Sequence, residues 1–331
     1  MTDRDMARKL ILDTDPGGDD IFSILWLLSF LKQNMVNLLA ITTATGNVQA
    51  RNTFNSACQV LRLSDVDDIV VGRGMQLPEP LVADASHIHG SDGMGNLSQT
   101  LPPGRRRFAD APLSEKLLID LLNRYPGEVT VVAIAPLTNL AIAENQCPGI
   151  LKKAKEIVIM GGAFNTPGNI TPMAEFNIAF NPKAARQVLI SRDDHVILPL
   201  NVTRNLVFTP EMIQEVISPA PDSKLSQFMA MLAQFLTKTA LEYRETRGQR
   251  GFLVHDAVAI AYLFYPELLT FRRAQVMVET QGKFTTGQTL IDHRHSIKLG
   301  FNAWVAVDID AENFMACLIQ DLQSLVARVN H

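Results

Sequence analysis

Residues 10–20 read Leu-Ile-Leu-Asp-Thr-Asp-Pro-Gly-Gly-Asp-Asp, an aliphatic run followed by four carboxylates wrapped around a Pro-Gly-Gly turn. Residues 9–12 have the composition of a buried strand. Residues 21–31 are apolar nearly all round, the mark of a buried helix. The acids therefore crowd a strand-to-helix corner at the carboxyl end of a strand, where open α/β sheets place their ligands. Helix capping explains one or two of them, because Asp suits the positive end of the helix dipole. It does not explain four. Like charges this close repel unless neutralised, and a hard divalent cation with oxygen ligands is the simplest neutraliser.

Outward from this corner, strand-like and helix-like segments alternate. Residues 38–43 form a β-rich run ending in Ala44-Thr45-Gly46-Asn47, and a helix-like stretch follows to Leu63. Residues 68–71 make a short strand closed by Gly72. Residues 129–135 make another, after which Pro136-Leu137-Thr138-Asn139 opens a helix through Glu144. Strands over 157–160 and 196–200 come next, the first running into Gly161-Gly162 and the second into a polar turn. This βαβα order predicts one α/β domain over residues 1–331, with an open, mostly parallel, Rossmann-like sheet and helices on both faces. The later part differs: residues 223–247 read as one long helix, and 275–280 with 303–309 read as antiparallel strands at the sheet edge.

Composition narrows the function. The chain of 331 residues is 47% hydrophobic and 19% charged, a globular balance, and its formal net charge of −4 offers no basic field for nucleic acid. Cys58, Cys147 and Cys317 are widely spaced and suggest neither a disulfide framework nor a zinc cluster, which fits a reducing cytoplasm. The start, Met-Thr-Asp-Arg-Asp, lacks a signal-peptide core, and no apolar run reaches membrane-spanning length.

Polar residues recur where the predicted strands stop. Asn47 follows the second strand; Asn165, Asn169, Glu175 and Asn177 follow Met160; His255 and Asp256 follow an apolar stretch before the last strong helix. Singly, each is an ordinary turn or cap residue. Their recurrence at one edge of one sheet is what points to a site.

These segments together resemble the nucleoside hydrolases, the inosine–uridine-preferring nucleoside N-ribohydrolase family. The resemblance runs from Asp13-Thr14-Asp15-Pro16-Gly17-Gly18-Asp19-Asp20 through Ala40-Ile41-Thr42-Thr43 with Gly46-Asn47, and His89-Gly90-Ser91-Asp92-Gly93-Met94-Gly95. It continues in Pro136-Leu137-Thr138-Asn139, Met160-Gly161-Gly162, Gly168-Asn169 and Ala174-Glu175-Phe176-Asn177. It closes with His255-Asp256-Ala257 and Thr286-Gly287-Gln288-Thr289 with Asp292, all in family order. It implies a Ca2+ ion held by Asp15, Asp20, Asp256 and the carbonyl of Ile134, with Asp13 behind them orienting the loop. An EF-hand is excluded by spacing, since counting from Asp13 puts Ile24 where a bidentate Glu belongs.

The resemblance further implies that Asp19, Asn47, Asn169, Glu175 and Asn177 hold a ribose over a floor that includes Met160. Asp15 would deprotonate a calcium-activated water that attacks the anomeric carbon through an oxocarbenium-like transition state. His255 is the expected acid for the leaving base, because histidine titrates near neutrality, and His89 shares the role or stacks on the base. Tyr243 and Arg247, on the long helix before His255, could reach the base, though a Tyr at helical spacing is more often core or surface packing; His87, His293 and His295 receive no role. The expected substrate is a ribonucleoside, with a homodimer or homotetramer as the assembly. A haloacid-dehalogenase-type phosphatase would leave the Asn set and His255-Asp256 unexplained. A phosphorylase would need a phosphate cradle, and a non-cleaving binder would have no use for the acid.

Overall fold

The structure, a computed structural model, describes residues 7–76, 81–292 and 300–329; the start of the chain and His293 and His295 lie outside them. Its strands are β1 (Arg8–Thr14), β2 (Val36–Thr43), β3 (Val70–Gly72), β4 (Val129–Ala133), β5 (Glu156–Met160), β6 (His195–Leu198), β7 (Val207–Phe208), β8 (Phe252–Leu253), β9 (Leu269–Ala274), β10 (Val276–Val278), β11 (Thr289–Ile291) and β12 (Ala303–Ile309). Its α-helices are α1 (Gly18–Lys32), α2 (Ala50–Leu63), α3 (Ser86–His89), α4 (Ser114–Arg124), α5 (Thr138–Gln146), α6 (Phe176–Phe180), α7 (Pro182–Ser191), α8 (Leu200–Thr203), α9 (Pro210–Ile217), α10 (Lys224–Glu242), α11 (Ala257–Phe264) and α12 (Ala311–Arg328).

The main sheet runs β3-β2-β1-β4-β5-β6-β12-β9. Neighbours are parallel throughout except for β9, which lies antiparallel to β12 at the edge. Aliphatic residues fill the central strands because both faces are covered. On β1, Leu10 and Leu12 pack with residues of α1, α2, α10 and α12. Ile11, pointing the other way, packs with residues of α4, α5 and α7. Strand order reverses between β1 and β4, so the helices that follow these two strands leave on opposite sides and open a crevice above their carboxyl ends.

Two expectations need correction. The segment over 275–280 does not join the main sheet: β10 pairs with β11 in a separate ribbon, and β9 takes the edge beside β12. Asn302 causes the departure, for its side chain accepts from the Val276 N–H at 2.7 Å and donates to the Val276 carbonyl at 2.9 Å, in place of a strand ladder. The long helix α10 is capped by Ser223 and stops at Glu242, short of the expected residue 247. Arg244 (φ 59°) and Arg247 (φ 54°) then adopt left-handed backbone, which no helix continues through. Among the described residues no helix is long and apolar enough to cross a membrane.

Candidate active site

The corner between β1 and α1 is bound together by its own acids. Asp20 Oδ1 accepts the Thr14 hydroxyl at 2.5 Å, and Oδ2 accepts the Gly17 N–H at 3.0 Å and Asn47 Nδ2 at 2.9 Å. Asp20 is thus the residue that capping explains, closing back on the start of α1. Asp15 Oδ2 accepts the Asn47 N–H at 2.7 Å, whereas its Oδ1 is buried with no hydrogen-bond partner among the described residues. Asp13 Oδ1 accepts Thr42 and Asn139 at 2.6 and 2.8 Å, and its Oδ2 is likewise orphaned. Gly46 admits this closeness: a Cβ there would lie 1.9 Å from Asp15 Oδ2.

Asp256, at the start of α11, comes in from across the crevice, and oxygens of Asp19, Asp20 and Asp256 lie within 4.8 Å of one another. Burial, then the charge of Asp19, pushes Asp20 up to about 7, and burial with a smaller push from Glu245 carries Asp19 to about 6. Asp15 and Asp256 are raised well above the usual carboxylate range by burial and then by the charges of neighbouring acids, and burial alone carries Asp13 to about 7. Crowded, buried carboxylates, two of them with an orphaned oxygen, form a donor set that suits a divalent cation.

The far wall is built from the loop after β5 and from α6. Asn177 Nδ2 donates to the carbonyls of Ile134 and Met160 at 3.1 and 3.3 Å. Glu175 caps α6, accepting the N–H groups of Asn177, Ile178 and Gly162. Asn169 Oδ1 accepts the Phe176 N–H at 2.9 Å and lines the cavity, whereas Asn165 (φ 55°) does not line it. The late Thr-Gly-Gln-Thr segment supports the same loop, Thr289 bonding both the N–H and the carbonyl of Ala163.

The histidines sit above the acids. His89 Nδ1 accepts the Gly18 N–H at 2.9 Å, which leaves the ring proton on Nε2. His255 Nδ1 is 2.7 Å from the Thr203 hydroxyl. The ordinary near-neutral value expected for His255 is shifted by its surroundings. Loss of solvent around the ring pushes it down to about 4, with Arg204 adding to the effect, and His89 falls to about 3. A ring pushed down in this way is, in its protonated form, a stronger acid than an ordinary histidine.

A cavity of about 270 Å³ joins these parts. Its lining includes Asp19, Asn47, His89, Ile134, Met160, Asn169, Glu175, Asn177, His255 and Asp256; Asp15 and Asp20 are buried outside it. Tyr243 stands at the mouth, its ring edge-on to His87 at 5.0 Å, while Arg247 stays outside the lining. No Lys or Arg lines the cavity among the described residues.

Residues 10–316 match the family model described as inosine-uridine preferring nucleoside hydrolase. The chain is 35% identical to an inosine-uridine preferring nucleoside hydrolase of Leishmania major, covering 97% of this chain and 99% of that one. It is 36% identical to a non-specific ribonucleoside hydrolase of Escherichia coli, covering 93% of this chain and 96% of the relative. A solved purine-preferring ribonucleoside hydrolase from Gardnerella vaginalis superposes with a TM-score of 0.87 at 26% identity, over 97% of this chain and 99% of that one. The chain belongs to the inosine-uridine preferring nucleoside hydrolase family. Like the nucleoside hydrolases it resembles, it is a ribonucleoside hydrolase that acts on N-glycosyl bonds.

Sequence reasoning passed over four residues around this nucleoside hydrolase site. Glu245 lines the mouth but hides within a run of good helix formers. Asn201, Thr203 and Arg204 lie in what reads only as a polar turn, and nothing local marks them.

Proposed function

We propose that this hydrolase cleaves purine or pyrimidine ribonucleosides to ribose and free base with a calcium ion held by Asp15, Asp20, Asp256 and the Ile134 carbonyl. The single observation that carries this reading is the buried cluster of Asp19, Asp20 and Asp256 at the bottom of a cavity whose wall presents Asn47, Asn169 and Asn177. A bound divalent cation would offset the carboxylate repulsion and supply Lewis acidity beside the sugar. Asp15, with its free Oδ1, takes a proton from the attacking water. Asp19, Asn47, Asn169, Glu175 and Asn177 hold the sugar hydroxyls over Met160. As water adds to the anomeric carbon, the C–N bond breaks and its electron pair goes to the base, which takes a proton from His255, with His89 alongside. The positive charge growing on the sugar ring is met by the surrounding carboxylates.

The same lining argues for a nucleoside and against a phosphorylated substrate, since among the described residues no Lys or Arg faces the space and several acids do. We also propose a homodimer or homotetramer in a reducing cytoplasm, the latter consistent with the unpaired Cys58, Cys147 and Cys317.

The test is a panel of ribonucleosides, 2′-deoxyribonucleosides and 5′-monophosphates, assayed without phosphate and with or without chelator. Ribonucleosides should release free ribose, deoxyribonucleosides should fall behind by a factor on the order of 10⁴, and chelator should stop turnover until calcium is restored. Full activity in protein shown to be metal-free would overturn the metal assignment; equal rates on uridine and deoxyuridine would overturn the sugar assignment.

A further inference from the structure

The short helix α8 and the residue after it reach both sides of the cavity. Asn201 clasps Phe164, its Oδ1 accepting the Phe164 N–H at 3.0 Å and its Nδ2 donating to the carbonyl at 2.8 Å. Arg204 takes the next stretch of the same loop, with Nη1 donating to the Thr166 hydroxyl at 2.9 Å and Nη2 to the carbonyls of Pro167 and Gly168 at 2.5 and 3.3 Å. Asn169 follows directly in the same loop. Between these two residues Thr203, fully buried, meets His255 Nδ1 at 2.7 Å. The backbone repeats the arrangement: the Leu200 N–H donates to the Gly162 carbonyl at 2.9 Å, and the Val254 N–H donates to the Leu206 carbonyl at 3.1 Å.

One segment therefore grips the sugar-side loop and the histidine together. An imidazole can swing about its Cβ–Cγ bond; a partner on Nδ1 fixes the ring and leaves Nε2 as the nitrogen available to the cavity that His255 lines. A guanidinium with bonds to three successive residues fixes loop backbone in the same way. We propose that Asn201, Thr203 and Arg204 form a positioning element that sets the base-side histidine and the sugar-side loop against each other. Thr203 governs departure of the base, and Arg204 governs the grip on the sugar. The inference rests on the reading of His255 as the acid and of Asn169 as a sugar contact.

Thr203→Val, Thr203→Ser, Arg204→Met and, in parallel, His255→Ala are compared on inosine and on 4-nitrophenyl riboside, whose phenolate leaves without needing a proton. Thr203→Val should lower kcat on inosine by about 10- to 100-fold with KM within about two-fold, and change the nitrophenyl substrate little. Thr203→Ser should restore the inosine rate. Arg204→Met should instead raise KM about ten-fold on both substrates. A residue that merely stabilised the fold would lower the melting temperature without separating the substrates. Should Thr203→Val fail to fold, Thr203→Ala carries the same comparison. If His255→Ala discriminates between the substrates and the Thr203 variants do not, the positioning element is overturned while the acid stands. If His255→Ala costs both substrates equally, the acid assignment falls and takes the inference with it.

Discussion

The floor and the mouth of the cavity are built on different principles. At the floor, Asp13, Asp15 and Asp20 sit at or just past the end of β1, buried, and tied to Thr14, Thr42, Asn47 and Asn139. Asp13 stands within the parallel ladder of β1, and Asp15 and Asp20 follow it in the corner and the first turn of α1. At the mouth, His87 stands on the single-turn helix α3 and Tyr243 and Glu245 on the turn after α10; Tyr243 is 49% exposed and meets His87 ring edge to ring. Under the proposed reading the sheet end would hold the chemistry and the exposed connections would meet the base. Base preference would then belong to the mouth, and the bond that breaks to the floor.

Breaking the floor should have the largest effect. Asp15→Ala or Asp20→Ala removes a ligand and leaves the other acids repelling, so kcat/KM should fall by about 10⁵-fold, with calcium content by elemental analysis falling alongside. Gly46→Ala tests the same corner without touching a functional group. A methyl 1.9 Å from Asp15 Oδ2 must displace that carboxylate. The expected cost is about 1–3 kcal/mol in a denaturant melt, and about 10²-fold in rate.

Proton competition sharpens the contrast at the next level. Asp13 and Asp20 titrate at about 7 and Asp19 at about 6, all above their value in an unfolded chain. Between about pH 4 and 7 the folded protein thus holds protons that the unfolded chain has lost, and without metal its stability from these groups falls as pH rises. A cation takes the place of those protons. The rise in melting temperature on adding calcium should therefore be larger at about pH 8 than at about pH 5, and a rise that is equal or reversed would sink the placement of the ion among these acids. The mouth should respond least: Tyr243→Ala should alter the inosine-to-uridine ratio by about ten-fold or less, with ribose affinity unchanged.

What could be read from the sequence follows the same division. The floor was legible because four acids after an aliphatic strand have no other account, and the strands around it because they are buried on both faces and nearly uniform in composition. The destination of residues 275–280 was not legible: a β-rich run does not say which sheet it joins, and here Asn302, distant in sequence, decides. Nor was the end of α10, since Glu-Tyr-Arg-Glu-Thr-Arg is composed mostly of helix formers and only tertiary structure turns Arg244 and Arg247 left-handed. The low titration of His255 and His89 arises from burial by neighbours distant in the chain, and so does the reach of Arg204 to Gly168.

Asp20 carries a consequence for descent. The side chain that would bind the ion also closes the first turn of α1, the helix whose Trp26, Phe22 and Phe30 anchor the largest core cluster. A lineage drifting away from catalysis cannot discard this residue freely, because most replacements would unfasten the helix along with the metal. Asparagine is the way out, for it retains an oxygen for the Gly17 N–H and gives up the charge. A descendant that still grasps nucleosides but no longer splits them should therefore betray itself by Asn at position 20, an inherited fastening from which the chemistry has gone.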